Sequence, residues 1–128
     1  MLAMSPKLAL SIAAVVAVLV GLGLVLVPGQ VLAGFGLPSN EGLAISRDTG
    51  VTLIAIGLIN WLGRSATGTP LRALLIGNLF LHLAEIVVDG LQLATGVLSS
   101  AAAPGLVPHV LLGAMFVAAL MRPEEKAA

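Results

Sequence analysis

The chain has no cysteine and few charged side chains. Without cysteine, disulfides, thiol chemistry and cysteine-ligated metal sites are excluded. Only 9% of the 128 residues are Asp, Glu, Lys or Arg, whereas a soluble domain carries about 25%. The six basic and six acidic side chains also balance, so no basic excess is available to bind nucleic acid. The composition therefore excludes a soluble domain and argues against a nucleic-acid-binding protein.

Long apolar segments dominate what is present. Hydrophobic residues make up 59% of the chain, and they run continuously, without the alternation of barrel strands. Segments of about 20 apolar residues are long enough to cross the membrane as helices. The sequence therefore predicts one all-α membrane domain over residues 1–128, a transmembrane four-helix bundle of up-down-up-down topology. The four predicted helices cover about residues 8–27, 45–63, 71–98 and 104–121.

The first apolar segment also has features of a secretory signal peptide. Lys7 precedes it, and Val31-Leu32-Ala33 follows it in the manner of a small-residue cleavage site. The segment is longer than the roughly 7 to 15 residues of a typical signal core. We therefore expect it to be retained as the first membrane helix.

The basic side chains predict the orientation of the helices. Arg47 alone falls on one side of the membrane, and five basic residues fall on the side of both termini: Lys7, Arg64, Arg72, Arg122 and Lys126. Because basic residues concentrate on the cytoplasmic side, we expect both termini to be cytoplasmic. This orientation predicts a multi-pass protein of the cell inner (plasma) membrane.

Glycines on the first two membrane helices predict close helix contacts. Small residues allow the backbones of membrane helices to approach one another. The glycines in question are Gly21, Gly23, Gly50, Gly57 and Gly63.

A stripe of polar side chains on the third helix is the most informative pattern. Its members follow one another at spacings of 4, 3, 4 and 3 residues: Asn78, His82, Glu85, Asp89 and Gln92. At this spacing they fall within an arc of roughly 80° on one helix face. Ionisable residues in membrane helices normally face the bundle interior or an aqueous cavity. The stripe therefore predicts a functional site facing inward.

Two other helices are expected to bring polar side chains to the outer level of this stripe. Arg47 and Asp48 are expected to open the second helix, and His109 to open the fourth. These positions correspond in height to Glu85 and Asp89, in the outer half of the membrane. We therefore predict a polar acid–base site formed by three helices.

The two remaining stripe residues nearer the cytoplasm, His82 and Asn78, are expected to lie deeper than His109. His82 with Glu85 resembles one half of a bundle carboxylate metal site, but a second helix of that kind is absent from the sequence. Two histidines at different depths also argue against a shared haem. We therefore expect no metal and no cofactor.

Carboxylates and histidines are the side chains of general acid–base catalysis. The candidate catalytic residues are Glu85, Asp89, His82 and Asp48. The candidate substrate-binding or electrostatic residues are Arg47, His109, Asn78 and Gln92. The favoured interpretation is a cofactor-independent isomerase, cyclase or epoxide-opening hydrolase, with a lipophilic small molecule as its substrate and membrane lipid as its surroundings.

Other interpretations remain open from the sequence. Glu85 and Asp89 can pair with Arg47 and hold the bundle together, and Asn78 and Gln92 can form hydrogen bonds between helices. The protein would then be a non-catalytic accessory subunit or a lipophile-binding protein. A proton-coupled transporter is the third interpretation, and it favours a homo-oligomer because four helices rarely enclose a pathway alone. Asn60 and Trp61 are interpreted as interfacial anchors.

Several short motifs resemble those of small bacterial four-helix membrane families of unknown function, which are loosely DoxX-like. They are Gly34-Phe35-Gly36-Leu37-Pro38, Arg47-Asp48-Thr49-Gly50 with Gly57, and the later Asp89 and His109. The resemblance covers most of the chain. It implies a four-helix bundle and a role for the Arg47–Asp48 pair. The thiol-linked partners of DoxX-like proteins find no counterpart here, since cysteine is absent.

Overall fold

The computed structural model describes residues 4–35 and 39–122, and within these residues all regular structure is helical. Three motif residues, Gly36, Leu37 and Pro38, and the basic residue Lys126 lie outside the described residues. The α-helices are α1 (Pro6–Leu26), α2 (Pro28–Gly34), α3 (Asn40–Gly63), α4 (Gly68–Ala94) and α5 (Leu106–Leu120). A 3₁₀ segment, Ser100–Gly105, leads into α5.

Four of these helical segments are long and apolar enough to cross a membrane. They are α1, α3, α4 and the combined segment Ser100–Leu120. The predictions of an all-helical chain and of a membrane protein are confirmed at this level. The short α2 lies between the first two of these segments and was not predicted.

The boundaries of two predicted helices are wrong. Helix α3 begins at Asn40 because the Ser39 hydroxyl accepts a hydrogen bond from the Gly42 backbone N–H and caps the first turn. Arg47 and Asp48 therefore lie about two turns inside α3 and do not open it. Helix α4 ends at Ala94, shortly before Gly96, whose φ of 75° is a left-handed conformation that favours glycine.

Close backbone contact joins α1 to α3. A Cβ atom on Gly21 would lie 2.6 Å from the Gly50 carbonyl oxygen, and one on Gly50 would lie 2.7 Å from the Gly21 carbonyl oxygen. One on Gly57 would lie 2.9 Å from the Ala14 carbonyl oxygen. The predicted close contacts are confirmed at these three glycines. A Cβ on Gly23 would meet only a side-chain atom of Val31, at 3.7 Å.

The helices form two pairs that meet at one end. Helix α1 packs mainly on α3, and α4 packs mainly on α5. The pairs meet in an apolar core that consists of Ala9, Leu10, Ala13, Leu75, Phe116 and Ala119. Beyond this core, toward Leu24 of α1 and Gln92 of α4, the two pairs line a cavity. The candidate site lies in this cavity, where the two helix pairs separate.

Candidate functional site

The cavity between the helix pairs has a volume of about 1010 Å³. Its α1 wall is apolar and includes Ala17, Val20 and Leu24. Its α4 wall is polar and includes the whole predicted stripe: Asn78, His82, Glu85, Asp89 and Gln92. The volume is at the upper end of the roughly 300 to 1,000 Å³ of small-molecule sites.

Helical periodicity explains why one face of α4 lines the cavity. Apolar residues of its other faces are exposed on the outside of the bundle, among them Ile76, Phe80 and Val87. Phe80 is 73% exposed, whereas His82, two positions further along the helix, is 7% exposed. This distribution is the one expected of a membrane helix that turns its polar stripe inward and its apolar surface toward lipid.

Three acid–base side chains meet on the α4–α5 side of the cavity. Ligand atoms of Glu85, Asp89 and His109 all lie within 4.8 Å of one another, and each residue is half-buried. Glu85 and Asp89 are four residues apart, on successive turns of α4, and His109 lies in the first turn of α5. The structure therefore brings together the α4 and α5 parts of the predicted site.

The two histidines are in direct contact. The Nδ1 atoms of His82 and His109 lie 3.2 Å apart, and the His82 ring stacks on Phe116 at a centroid distance of 5.8 Å. The expectation that the histidines lie at different depths is wrong. Helix α5 has only 15 residues, so His109 lies about 17 Å from its last residue and reaches the level of His82.

A pair of buried amides lies next to the histidines. Asn60 of α3 and Asn78 of α4 each donate a side-chain hydrogen bond to the other's side-chain oxygen, at 2.8 Å. The interhelical hydrogen bond considered for Asn78 is confirmed. The interpretation of Asn60 as an anchor is wrong, because its side chain is 1% exposed. Its neighbour Trp61 is 44% exposed, and the Arg64 guanidinium lies 3.9 Å from the centre of its ring.

Arg47 and Asp48 are exposed and are not among the residues that line the cavity. The α3 wall is formed instead by residues that include Ser46 and Thr49. Since successive helical residues are about 100° apart, Arg47 and Asp48 are turned by about 100° and 200° from Ser46 and point away from the cavity. The structure therefore does not place Arg47 and Asp48 with the other predicted site residues.

Three polar residues of the α3 wall were missed by the sequence analysis: Ser46, Thr49 and Asn60. A signal was present, because their spacings of 3 and 11 residues put them within about 60° of one helix face. The Ser46 hydroxyl is buried and has no hydrogen-bond partner. A buried polar group without a partner is unusual and requires an explanation.

Comparisons with known proteins found no relative of this chain. No family model matches the chain, and neither a curated protein nor a solved structure matches it. The resemblance to DoxX-like families therefore stays a prediction.

Proposed function

We propose that this protein binds a lipophilic small molecule in the cavity and carries out acid–base chemistry on it. The observation that carries the proposal is the cavity of about 1010 Å³, with an apolar α1 wall opposite the polar stripe of α4. Such a site can hold an apolar body on one side and orient its functional groups on the other. Isomerisation, cyclisation and epoxide opening are reactions that suit it.

Glu85 and Asp89 are the proposed acid and base. In an isomerisation, one carboxylate removes a proton from a carbon next to a double bond, and the other, in its protonated form, donates a proton at the far end of the shifted bond. After one turnover the first carboxyl group is protonated and the second is ionised, so a proton must pass back from the first to the second before the next substrate reacts. His109 is close enough to carry protons between them, with His82 as its hydrogen-bond partner.

The remaining polar wall is proposed to orient the bound molecule. Gln92 lines the cavity on the same helix face as the carboxylates, and Ser46 lines the opposite wall. The unpaired Ser46 hydroxyl is a candidate hydrogen-bond partner for an oxygen of the bound molecule. Asp48 and Arg47 have no role in this proposal.

We also propose that the protein lies in the cell inner (plasma) membrane, with both termini on the cytoplasmic side and the four spans running up-down-up-down. Contact pairs that run in opposite order along the helices support this arrangement, with Gly21 meeting Gly50 and Ala14 meeting Gly57. The four basic residues Lys7, Arg64, Arg72 and Arg122 are near those helix ends that would face the cytoplasm.

The absence of cysteine makes this topology simple to test. Single variants Ser65→Cys and Ser99→Cys place one thiol at each end of the bundle. We expect a membrane-impermeant maleimide added to intact spheroplasts to label the Ser99 variant alone. Labelling of the Ser65 variant alone would show that the orientation is the opposite of the one proposed.

Native mass spectrometry of the protein released from mild detergent tests the proposed function. We expect a retained organic molecule of a few hundred daltons, which then serves as the substrate in turnover assays. Glu85→Gln and Asp89→Asn should keep this molecule and the fold but lose turnover, whereas Glu41→Gln, an exposed carboxylate on α3, should behave as wild type.

Other experimental results would support the alternative functions. A bare protein that loses thermal stability in Glu85→Gln and Asp89→Asn would identify the stripe as structural and the protein as an accessory subunit. Proton-dependent uptake into liposomes, abolished by the same substitutions, would identify a transporter.

A further inference from the structure

The cavity contains carboxylates without a protein cation to balance them. Of the described residues that line it, two are acidic, Glu85 and Asp89, and none is a lysine or an arginine. Arg47, the partner expected from the sequence, is exposed outside the cavity. Two ionised carboxylates inside a membrane-spanning bundle are costly unless a positive charge accompanies them.

The same carboxylates form a donor set with an imidazole. One ligand atom each of Glu85, Asp89 and His109 lies within 4.8 Å of the others. A tetrahedral ion with bonds of about 2.0 to 2.2 Å needs ligand atoms about 3.3 Å apart. Small side-chain rotations can bring the ligand atoms from within 4.8 Å to about 3.3 Å of one another, because the carboxylates of Glu85 and Asp89 are at the ends of rotatable side chains.

The buried His82 ring contacts one member of this donor set, His109. His82 is 7% exposed, and its Nδ1 lies 3.2 Å from Nδ1 of His109, so one imidazole donates a hydrogen bond to the other. When His82 accepts this bond, His109 keeps its proton on Nδ1 and presents the lone pair of Nε2. Metal-binding histidines use their second nitrogen in this way.

We propose that Glu85, Asp89 and His109 bind one divalent first-row transition ion, with Zn²⁺ as the representative, and that His82 positions His109. The ion cancels the two carboxylate charges and leaves a fourth coordination position for water or an oxygen of a bound molecule. This replaces the expectation of a site without metal. With the ion bound, Glu85, Asp89 and His109 act as ligands, so the ion replaces the acid and base proposed above and polarises an oxygen of the bound lipophile. Only this catalytic use rests on the proposed function.

Binding of Co²⁺ to the full chain tests this site. The protein is purified in mild detergent, treated with a chelator and titrated with Co²⁺, whose visible absorption reports four-coordinate binding. We expect one equivalent per chain, displaced by Zn²⁺. Glu85→Gln, Asp89→Asn and His109→Gln should each weaken binding at least tenfold, and Glu41→Gln should leave it unchanged.

His82 variants separate positioning from folding. His82→Phe should weaken Co²⁺ binding about 10- to 100-fold, the usual effect of removing a metal ligand's hydrogen-bond partner. His82→Gln keeps a hydrogen-bonding group and should retain more affinity. Equal affinity in both variants and in the wild type would overturn the positioning role.

Two results would overturn the metal site: no saturable Co²⁺ binding to the wild-type protein, or binding that survives all three ligand substitutions. The titration uses no lipophile, so the two proposals fail separately. Protein that retains an organic molecule but takes up no Co²⁺ contradicts the metal site alone. Protein that binds Co²⁺ but never a lipophile contradicts the proposed function alone.

Discussion

The side chains of Asn60 and Asn78 form two reciprocal hydrogen bonds of 2.8 Å between α3 and α4. These helices belong to different pairs and otherwise make few contacts. Asn78 Nδ2 also donates to the Leu74 carbonyl oxygen at 2.8 Å, which helps to hold its carboxamide in place. The amide pair therefore joins the two halves of the bundle beside the cavity.

Removing one amide of this pair should destabilise the protein. We expect Asn60→Leu and Asn78→Leu each to lower the free energy of unfolding by about 1 to 3 kcal/mol, because each leaves a buried amide unpaired. The double variant should cost less than the sum of the two single changes. Thermal and denaturant unfolding in detergent measure all three values, and strictly additive losses would contradict the amide pair.

Close packing of α1 on α3 should not tolerate a methyl group. In Gly50→Ala the new Cβ would lie 2.7 Å from the Gly21 carbonyl oxygen, so the helices must separate. We expect a loss of about 1 to 3 kcal/mol, as for other overpacked contacts.

Gly77→Ala is the matched control for this substitution. A Cβ on Gly77 would have no neighbour within 4 Å, so its effect should stay within about 1 kcal/mol, the range of helix propensity. Measured in the same detergent, the Gly50→Ala variant should therefore have a lower melting temperature than the Gly77→Ala variant. The reverse order would contradict the contact between Gly21 and Gly50.

Ser46→Ala should have opposite effects on stability and on binding. The Ser46 hydroxyl is buried without a partner, so its removal should leave stability unchanged or raise it by up to about 1 kcal/mol. The same change should lower the fraction of protein that retains the organic molecule in native mass spectrometry. Ser11→Ala serves as the control, because the Ser11 hydroxyl already donates to the Lys7 carbonyl oxygen at 2.7 Å.

Filling the cavity should block binding and leave the polar wall intact. Ala17 lines the cavity on α1, so Ala17→Phe inserts a ring opposite the stripe. We expect the variant to fold but to lose the retained organic molecule. Val15→Phe makes a similar change at a residue that is 50% exposed, and it should keep the molecule. Equal retention in both variants would show that the molecule binds elsewhere.

The stripe of α4 could be predicted because helical periodicity is a local property. Spacings of 3 and 4 residues place side chains on one face, whatever the rest of the chain does. The position of Arg47 could not be predicted in the same way. Its height in the bundle depended on where α3 begins, and the Ser39 cap moved that start to Asn40. Its direction depended on which face of α3 packs on α1, and that face contains Gly50 and Gly57.

Composition and periodicity by themselves determined that this is a helical membrane protein with a polar face on the third of its membrane-spanning helices, α4. Both follow from the cost of exposing backbone and charge to lipid, which each segment meets individually. Tertiary packing decided which side chains meet. The contacts between His82 and His109 and between Asn60 and Asn78, and the cavity beside them, depend on the lengths of separate helices and on how two helix pairs diverge from a shared core. Those are relations between segments, and no single segment encodes them.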